Sequence, residues 1–250
     1  VSQKVLLNAL NVGFIKNISL FNGLSETDKE LLLRDGSIYS YLRKKPLFRH
    51  GDPIMHFYVV CSGTIRLYHE TPDGCEVTTD ILIAGDSICA ADIFSSLGMY
   101  QTHAEAVIDA TVMEFSTEWL KKTAQRFPII AFNLLSMLSQ QTHKLKTEAE
   151  NQSNMSALQL TACFLQQTCV FNGFNPAGFI LPYSKSLIAS RIGMKLETLS
   201  RTLPKLTEIG IASEGRHIAL RDLATIKQNV CDHCPGTEHC HAYDVLHQKN

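Results

Sequence analysis

An α+β chain in three parts is what the sequence predicts: a β-rich N-terminal half, a long amphipathic helix and a C-terminal winged helix-turn-helix. Three observations carry this. Between Tyr39 and Phe115, Gly51-Asp52-Pro53, Asp73-Gly74 and Gly85-Asp86 separate short β-rich runs, and many short strands at regular spacing make a sandwich or barrel. After Phe115 the pattern turns helical, with an apolar stripe from Ile130 to Leu145. From Tyr183 onward the chain reads as helix, Gly-containing turn, helix and hairpin, the order of a winged helix-turn-helix.

The composition sets bounds on this reading. At 250 residues and 45% apolar content the chain suits one large domain or two small ones, with a real core. The net charge of −1 gives no bulk field toward nucleic acid or membrane, so an anionic partner has to meet a local patch. The longest apolar runs are too short to span a bilayer. The start, VSQKVLLNALNVGFIKN, has apolar positions at roughly helical spacing but no basic n-region, continuous apolar run or small-residue cleavage site, and does not read as a signal peptide. A cytoplasmic protein with reduced thiols and no membrane partner is the expectation.

Each element has a local reason. Ser25 with Asp28 three residues on starts a helix as a capping box does. HFYVVCSG, TIRLYHE, EVTTDILI and AVIDATVMEF are β-rich, and several alternate as half-buried strands do. Asp73-Gly74 between IRLYHE and EVTTDI is a hairpin signal. TEWLKKTAQRFP gives a short helix ending at Pro128. Ile130, Leu134, Leu135, Leu138, Thr142 and Leu145 then approximate a heptad stripe over about four turns. Such a helix either packs on its own β half or forms a two-stranded dimer seam.

In the last third, Ser184 caps a helix reaching Ser190, Gly193 turns the chain, and a second helix runs from about Leu196 to Glu208 and stops at Gly210. IASEGRHIAL then makes a two-stranded wing turning at Glu214-Gly215. Between Tyr183 and Lys227 eight Lys or Arg face four Asp or Glu, a basic patch that the overall charge hides. Glu197, Ser200 and Arg201 stand at i, i+3 and i+4, on one helix face. A major-groove reader needs that arrangement, because Arg chelates guanine, Glu accepts from cytosine and Ser reaches a phosphate or base edge. A solvated face with an intrahelical Glu197–Arg201 pair is the plainer alternative.

LFNGLS, the Gly-Asp pairs at 51 and 85, VVCSGTIRLY, DGCE and above all SLIASRIGMKLETLSRTLPKLTEIGI resemble the cyclic-AMP receptor/fumarate–nitrate reduction regulator superfamily of bacterial transcription factors. The resemblance covers nearly the whole chain. It implies four segments: a cyclic-nucleotide-binding-type β-roll sensor domain with an N-terminal helix (1–127), a dimerisation helix (128–155), a winged helix-turn-helix DNA-binding domain (156–229) and a cysteine/histidine-rich tail (230–250). It also implies a homodimer through Leu134, Leu135, Leu138 and Leu145, binding to a double-stranded DNA operator, and RNA polymerase as a partner. ETLSR is similar to the Glu-x-x-Ser-Arg reading motif of the fumarate–nitrate branch, which favours an inverted repeat of TTGAT-type half-sites. Carried over by position, Glu197, Ser200 and Arg201 read bases, with Thr198, Lys195 and Arg191 beside them. Two departures stand out. No arginine lies between Arg66 and Arg126, so nothing in that stretch clamps a cyclic phosphate and no cyclic AMP is expected. Pro204 falls inside the reading helix, where it removes a hydrogen bond and crowds the carbonyl of Ser200.

The fumarate–nitrate branch usually carries an oxygen-sensitive cluster on cysteines near its N-terminus, whereas the first cysteine here is Cys61. The tail sequence CDHCPGTEHCH supplies Cys231, Cys234 and Cys240 instead, with His233, His239 and His241 beside them. The C-x2-C pair, followed directly by Pro235, suits a [4Fe–4S] cluster with a non-cysteine fourth ligand. The alternative is zinc in a local Cys3His site. Cys61, Cys75, Cys89, Cys163 and Cys169 read as small apolar residues. His56 and His103 are haem-ligand candidates in a β-roll pocket, as the resemblance to nitric-oxide-sensing relatives implies, with a lone polar surface or core histidine as the plainer alternative. The whole reads as a transcription regulator switched by a redox or gas signal through its tail. The rivals are a β-roll small-molecule or haem sensor with a structural zinc tail and, from another class, an iron–sulfur electron carrier. No nucleophile–base set or phosphate loop is visible, so no catalysis is expected.

Overall fold

Ser25 accepts the backbone N–H of Asp28 at 3.1 Å and opens helix α1, Glu26–Leu33, so the helix starts at the serine as expected, with the Ser25 hydroxyl donating to the Asp28 carboxylate. The computed structural model describes residues 3–5, 18–88, 92–171, 175 and 177–230. Contacts divide the chain into two units, Val1–Thr142 and His143–Asn250. The division falls inside the long helix rather than at either of its ends.

Among the described residues seven strands build the first unit: β1 Gln3–Val5, β2 Ser37–Tyr41, β3 Pro46–Phe48, β4 His56–Glu70, β5 Glu76–Ile83, β6 Ser87–Ile88 and β7 His103–Ser116. They pair antiparallel in the order β1-β2-β7-β4-β5, with β3 on β7 and β6 on β4. The first residues, expected at helical spacing, include the edge strand β1, which pairs Gln3 with Ser40. The β4–β5 hairpin turns at Asp73-Gly74 as expected, closed by Thr71 and Cys75.

HFYVVCSG and TIRLYHE, expected as two runs, are one strand. Gly63 does not end β4 but sits in a shift of its register against β7. Its φ of +80° is left-handed, and a Cβ there would collide with the backbone of Asp109 and Ala110. A bulge that uses a left-handed glycine bends a strand without stopping it.

Both faces of β4 are buried, which explains its nearly continuous apolar sequence. Phe57, Val59 and Cys61 join one cluster with Phe21, Leu33, Met113, Phe115 and Leu120. Tyr58, Val60 and Ile65 join the other with Tyr41, Phe48, Tyr100 and Val112. Aromatic rings fill this second cluster, and Phe48 stacks on Tyr100 with centroids 3.8 Å apart.

Two helices leave the sheet, α2 Thr117–Arg126, capped by Ser116, and α3 Pro128–Asn154. The stripe on α3 splits into two faces. Ile130 and Leu134 are buried in the first cluster, with Met137 and Leu138 packed against it. Asn133 ties the same stretch down by donating to the carbonyls of Leu20 (2.9 Å) and Asn22 (2.8 Å). Leu134 therefore packs within its own unit, only 3% exposed, where a dimer seam had been expected. Leu135, at 62%, and Leu145, at 54%, lie open to solvent. One face of this helix packs on the β half, and the other is exposed.

The second unit continues with α4 Ala157–Phe171, β8 Phe179–Ile180, α5 Lys185–Arg191, α6 Leu196–Thr202, β9 Ile211–Glu214, β10 His217–Leu220 and α7 Leu223–Gln228. β9 and β10 form the expected wing, and β8 pairs with β10 as a third strand the sequence reading did not include. No helix among the described residues is long and apolar enough to cross a membrane.

Candidate nucleic-acid interface

Ser184 accepts the N–H of Leu187 at 3.2 Å and starts α5, which buries Leu187, Ile188 and Ala189. Gly193, at φ +71°, turns the chain. The turn closes through the Met194 N–H on the carbonyl of Ala189 at 2.9 Å. Helix α6 then begins with extended Lys195 at its N-cap, and no side chain caps it.

The two faces of α6 separate cleanly. Leu199, Thr202, Leu203 and Leu206 are buried, at i, i+3, i+4 and i+7. Glu197, Ser200, Arg201 and Pro204 are exposed with the same spacing, the row a groove reader presents. Lys195 and Lys205 are exposed at its ends, and Thr198 is half-buried. Arg201 Nε donates to the backbone carbonyl of Glu197 at 3.3 Å.

The reading helix is shorter than expected. Its α geometry ends at Thr202, and Leu203–Ile209 continue as a 3-10 helix with Pro204 in its first turn. Proline lacks the N–H and clashes with the carbonyl four residues back, so the α ladder stops there. Leu196, which the sequence reading passed over, stands exposed at the start of the row. An exposed apolar group there can meet a thymine methyl. Arg191 lies elsewhere: its guanidinium reaches Glu148 on α3 at 2.6 Å, away from the Glu197–Ser200–Arg201 row.

The other sequence candidates do not converge. His56 pairs near one end of β4, opposite Ser116, while His103 pairs with Tyr68 near the other. Cys61 is buried, and burial pushes its thiol up to about 12, which leaves it inert at neutral pH. Cys163 and Cys169 are buried and Cys75 is exposed. Cys89, Cys231, Cys234, Cys240, His233, His239 and His241 lie outside the described residues. Among the described residues no group of three His, Cys, Asp or Glu is placed to hold a metal.

Comparison with known proteins agrees with both halves of this architecture. Residues 39–127 match the cyclic nucleotide-binding domain family, and residues 159–228 match the Crp-like helix-turn-helix domain family. The chain belongs to the cyclic-AMP receptor/fumarate–nitrate reduction regulator superfamily. It is a DNA-binding transcription regulator of that superfamily. It is 28% identical to the fumarate and nitrate reduction regulatory protein of Shigella dysenteriae, over 74% of this chain and 78% of that protein. It is 27% identical to the anaerobic regulatory protein of Pasteurella multocida, over 74% and 70%. The structure of FixK2 from Bradyrhizobium japonicum has the same fold, with a TM-score of 0.70 at 24% identity, over 78% of this chain and 98% of that one.

In the β-roll, Arg66 of β4 is engaged by two carboxylates and a ring. Arg66 is paired with Glu76 at 2.6 Å and Glu105 at 3.2 Å, and lies over the Tyr68 ring at 4.1 Å.

Proposed function

We propose that the chain is a homodimeric regulator that binds a palindromic TTGAT-type operator and responds to a redox or gas signal through its C-terminal cysteines. The observation that carries the DNA reading is the exposed row Glu197, Ser200 and Arg201 on a helix whose opposite face is buried. Arg201 reads guanine, Glu197 accepts from cytosine, and Ser200 bonds a phosphate or base edge. Lys195 and Lys205 supply positive charge at the ends of the row, and Thr198 supports it. Phosphate contacts set position while base contacts set sequence preference.

Two-fold operators match two-fold proteins, and the face of α3 with exposed Leu135 and Leu145 beside half-buried Leu138 supplies the seam. The ion-paired Arg66 makes cyclic AMP a poor effector for this β-roll. Cys231, Cys234 and Cys240 form the sensing centre, a [4Fe–4S] cluster completed by His233, His239 or His241 or by a carboxylate. Relatives named for fumarate and nitrate reduction and for anaerobic regulation support a redox role. Zinc on the same residues would instead make the tail a structural knuckle. A cytoplasmic setting and contact with RNA polymerase accompany this role.

The test is a binding titration of the purified chain on a duplex carrying an inverted TTGAT repeat and on a scrambled duplex. Preference for the repeat by about a thousandfold or more supports the reading, and equal affinity removes it.

A further inference from the structure

We infer that Glu148 and Arg191 are positioning residues. Their ion pair locks the helix-turn-helix onto the C-terminal end of α3, and neither touches DNA. This rests on the DNA-binding function proposed above and assigns a device that aims it.

Arg191 is the last residue of α5, directly before the turn that leads to the reading helix. Its Nη2 lies 2.6 Å from Glu148 Oε1, and the two side chains are only 13% and 27% exposed. A short charge-assisted bond in that degree of burial is stronger than a surface pair. Removing one partner leaves the other charge partly desolvated and uncompensated.

A second contact shows the same seating. Gln152 stands one turn beyond Glu148, on the same face of α3. Its Nε2 would be 3.3 Å from a Cβ added at Gly193. The turn between α5 and α6 therefore rests on two successive turns of α3, through Arg191 on one side and Gly193 on the other. Only the Arg191 contact is directional, because the guanidinium fork fixes the angle of its partner. The reading helix begins at Leu196, three residues past Gly193. A small rotation at the lock then moves Glu197 and Arg201 off the base edges, and base contacts tolerate little displacement.

An arginine held this way is a poor phosphate ligand, since reaching DNA would mean giving up Glu148. The alternative, Arg191 as a backbone contact, follows from its position beside the turn and makes opposite predictions.

The experiment uses the full chain in fluorescence-anisotropy titrations at several salt concentrations, on the inverted-repeat duplex and the scrambled duplex. Glu148→Gln should weaken binding to the repeat by about tenfold and leave scrambled-duplex affinity and the salt slope unchanged. Arg191→Glu should weaken repeat binding at least as much, and adding Glu148→Arg to it should restore affinity to within about threefold of wild type.

If Arg191 instead contacts phosphate, Arg191→Glu weakens both duplexes, the salt slope falls by about one, and the exchanged pair stays weak because a carboxylate at 191 faces the backbone. That result overturns the lock. Circular dichroism checks folding. If the exchanged pair does not fold, the cycle of Glu148→Gln, Arg191→Gln and their double variant replaces it. Losses on the repeat that fail to add then support the lock, and additive losses overturn it. Wild-type protein that binds both duplexes alike removes the functional reading and the lock together. Specific wild-type binding without recovery in the exchanged pair overturns the lock alone.

Discussion

Arg201 Nε donates to the carbonyl oxygen of Glu197, 3.3 Å away and one helical turn back. The bond goes to the backbone, so the Glu197 carboxylate remains exposed beside it. The plainer sequence reading, a carboxylate–guanidinium pair on a solvated face, would have occupied both groups. Here one backbone bond steadies the arginine stem, and the remaining donors stay available.

Arg201→Ala should therefore cost roughly 1–3 kcal/mol on an inverted-repeat operator and much less on random DNA. Anisotropy titrations on the two duplexes at one salt concentration measure this. Equal losses on both would mean that Arg201 touches only phosphate.

Leu134 and Leu135 are neighbours in sequence with opposite roles. Leu134 is buried in the core of the first unit and Leu135 is open. Leu134→Ala should destabilise the fold by about 2–5 kcal/mol, seen as a lowered thermal midpoint. Leu135→Glu should leave that midpoint nearly unchanged, convert dimers to monomers in sedimentation, and weaken operator binding because two half-sites are engaged together. A Leu135→Glu protein that stays dimeric would place the seam elsewhere.

Much of this was legible because the local chemistry was strong. Ser25 and Ser184 cap helices for a reason visible in one residue and its neighbours, the unsatisfied N–H groups of a first turn. The wing turn, expected at Glu214-Gly215 and found one residue on at Gly215-Arg216, and the hairpin at Asp73-Gly74 were equally local. Gly63 misled because a left-handed glycine ends a strand or bulges one, and only its partner β7 decides which. The stripe on α3 hid two faces, since periodicity shows which residues are apolar and not what they pack against. The reading row at Glu197, Ser200 and Arg201 followed from helical spacing. The engagement of Arg191 by Glu148, forty-three positions earlier, left no local signal. The change to 3-10 geometry at Leu203 was half visible, because Pro204 announced a fault in the helix without its form.

The tail supplies a prediction about the effector. Protein prepared without oxygen should be brown, with iron and sulfide equivalent to one [4Fe–4S] cluster per chain, since soft thiolates favour such centres. Cys231→Ser, Cys234→Ser or Cys240→Ser should each abolish the colour, and with it any effect of air on operator binding, because coupling between two sites is reciprocal. Colourless anaerobic protein holding one zinc per chain would make the tail structural and remove the sensing role.

The central claim is that the face of α6 carrying Glu197, Ser200 and Arg201 reads sequence. The most direct measurement is the ratio of affinities of the anaerobic protein for the inverted TTGAT repeat and for the same duplex scrambled, at matched salt. A ratio on the order of a thousand or more is the predicted result. A ratio near one, with both affinities falling steeply as salt rises, would show a protein held by phosphates alone and would contradict the account.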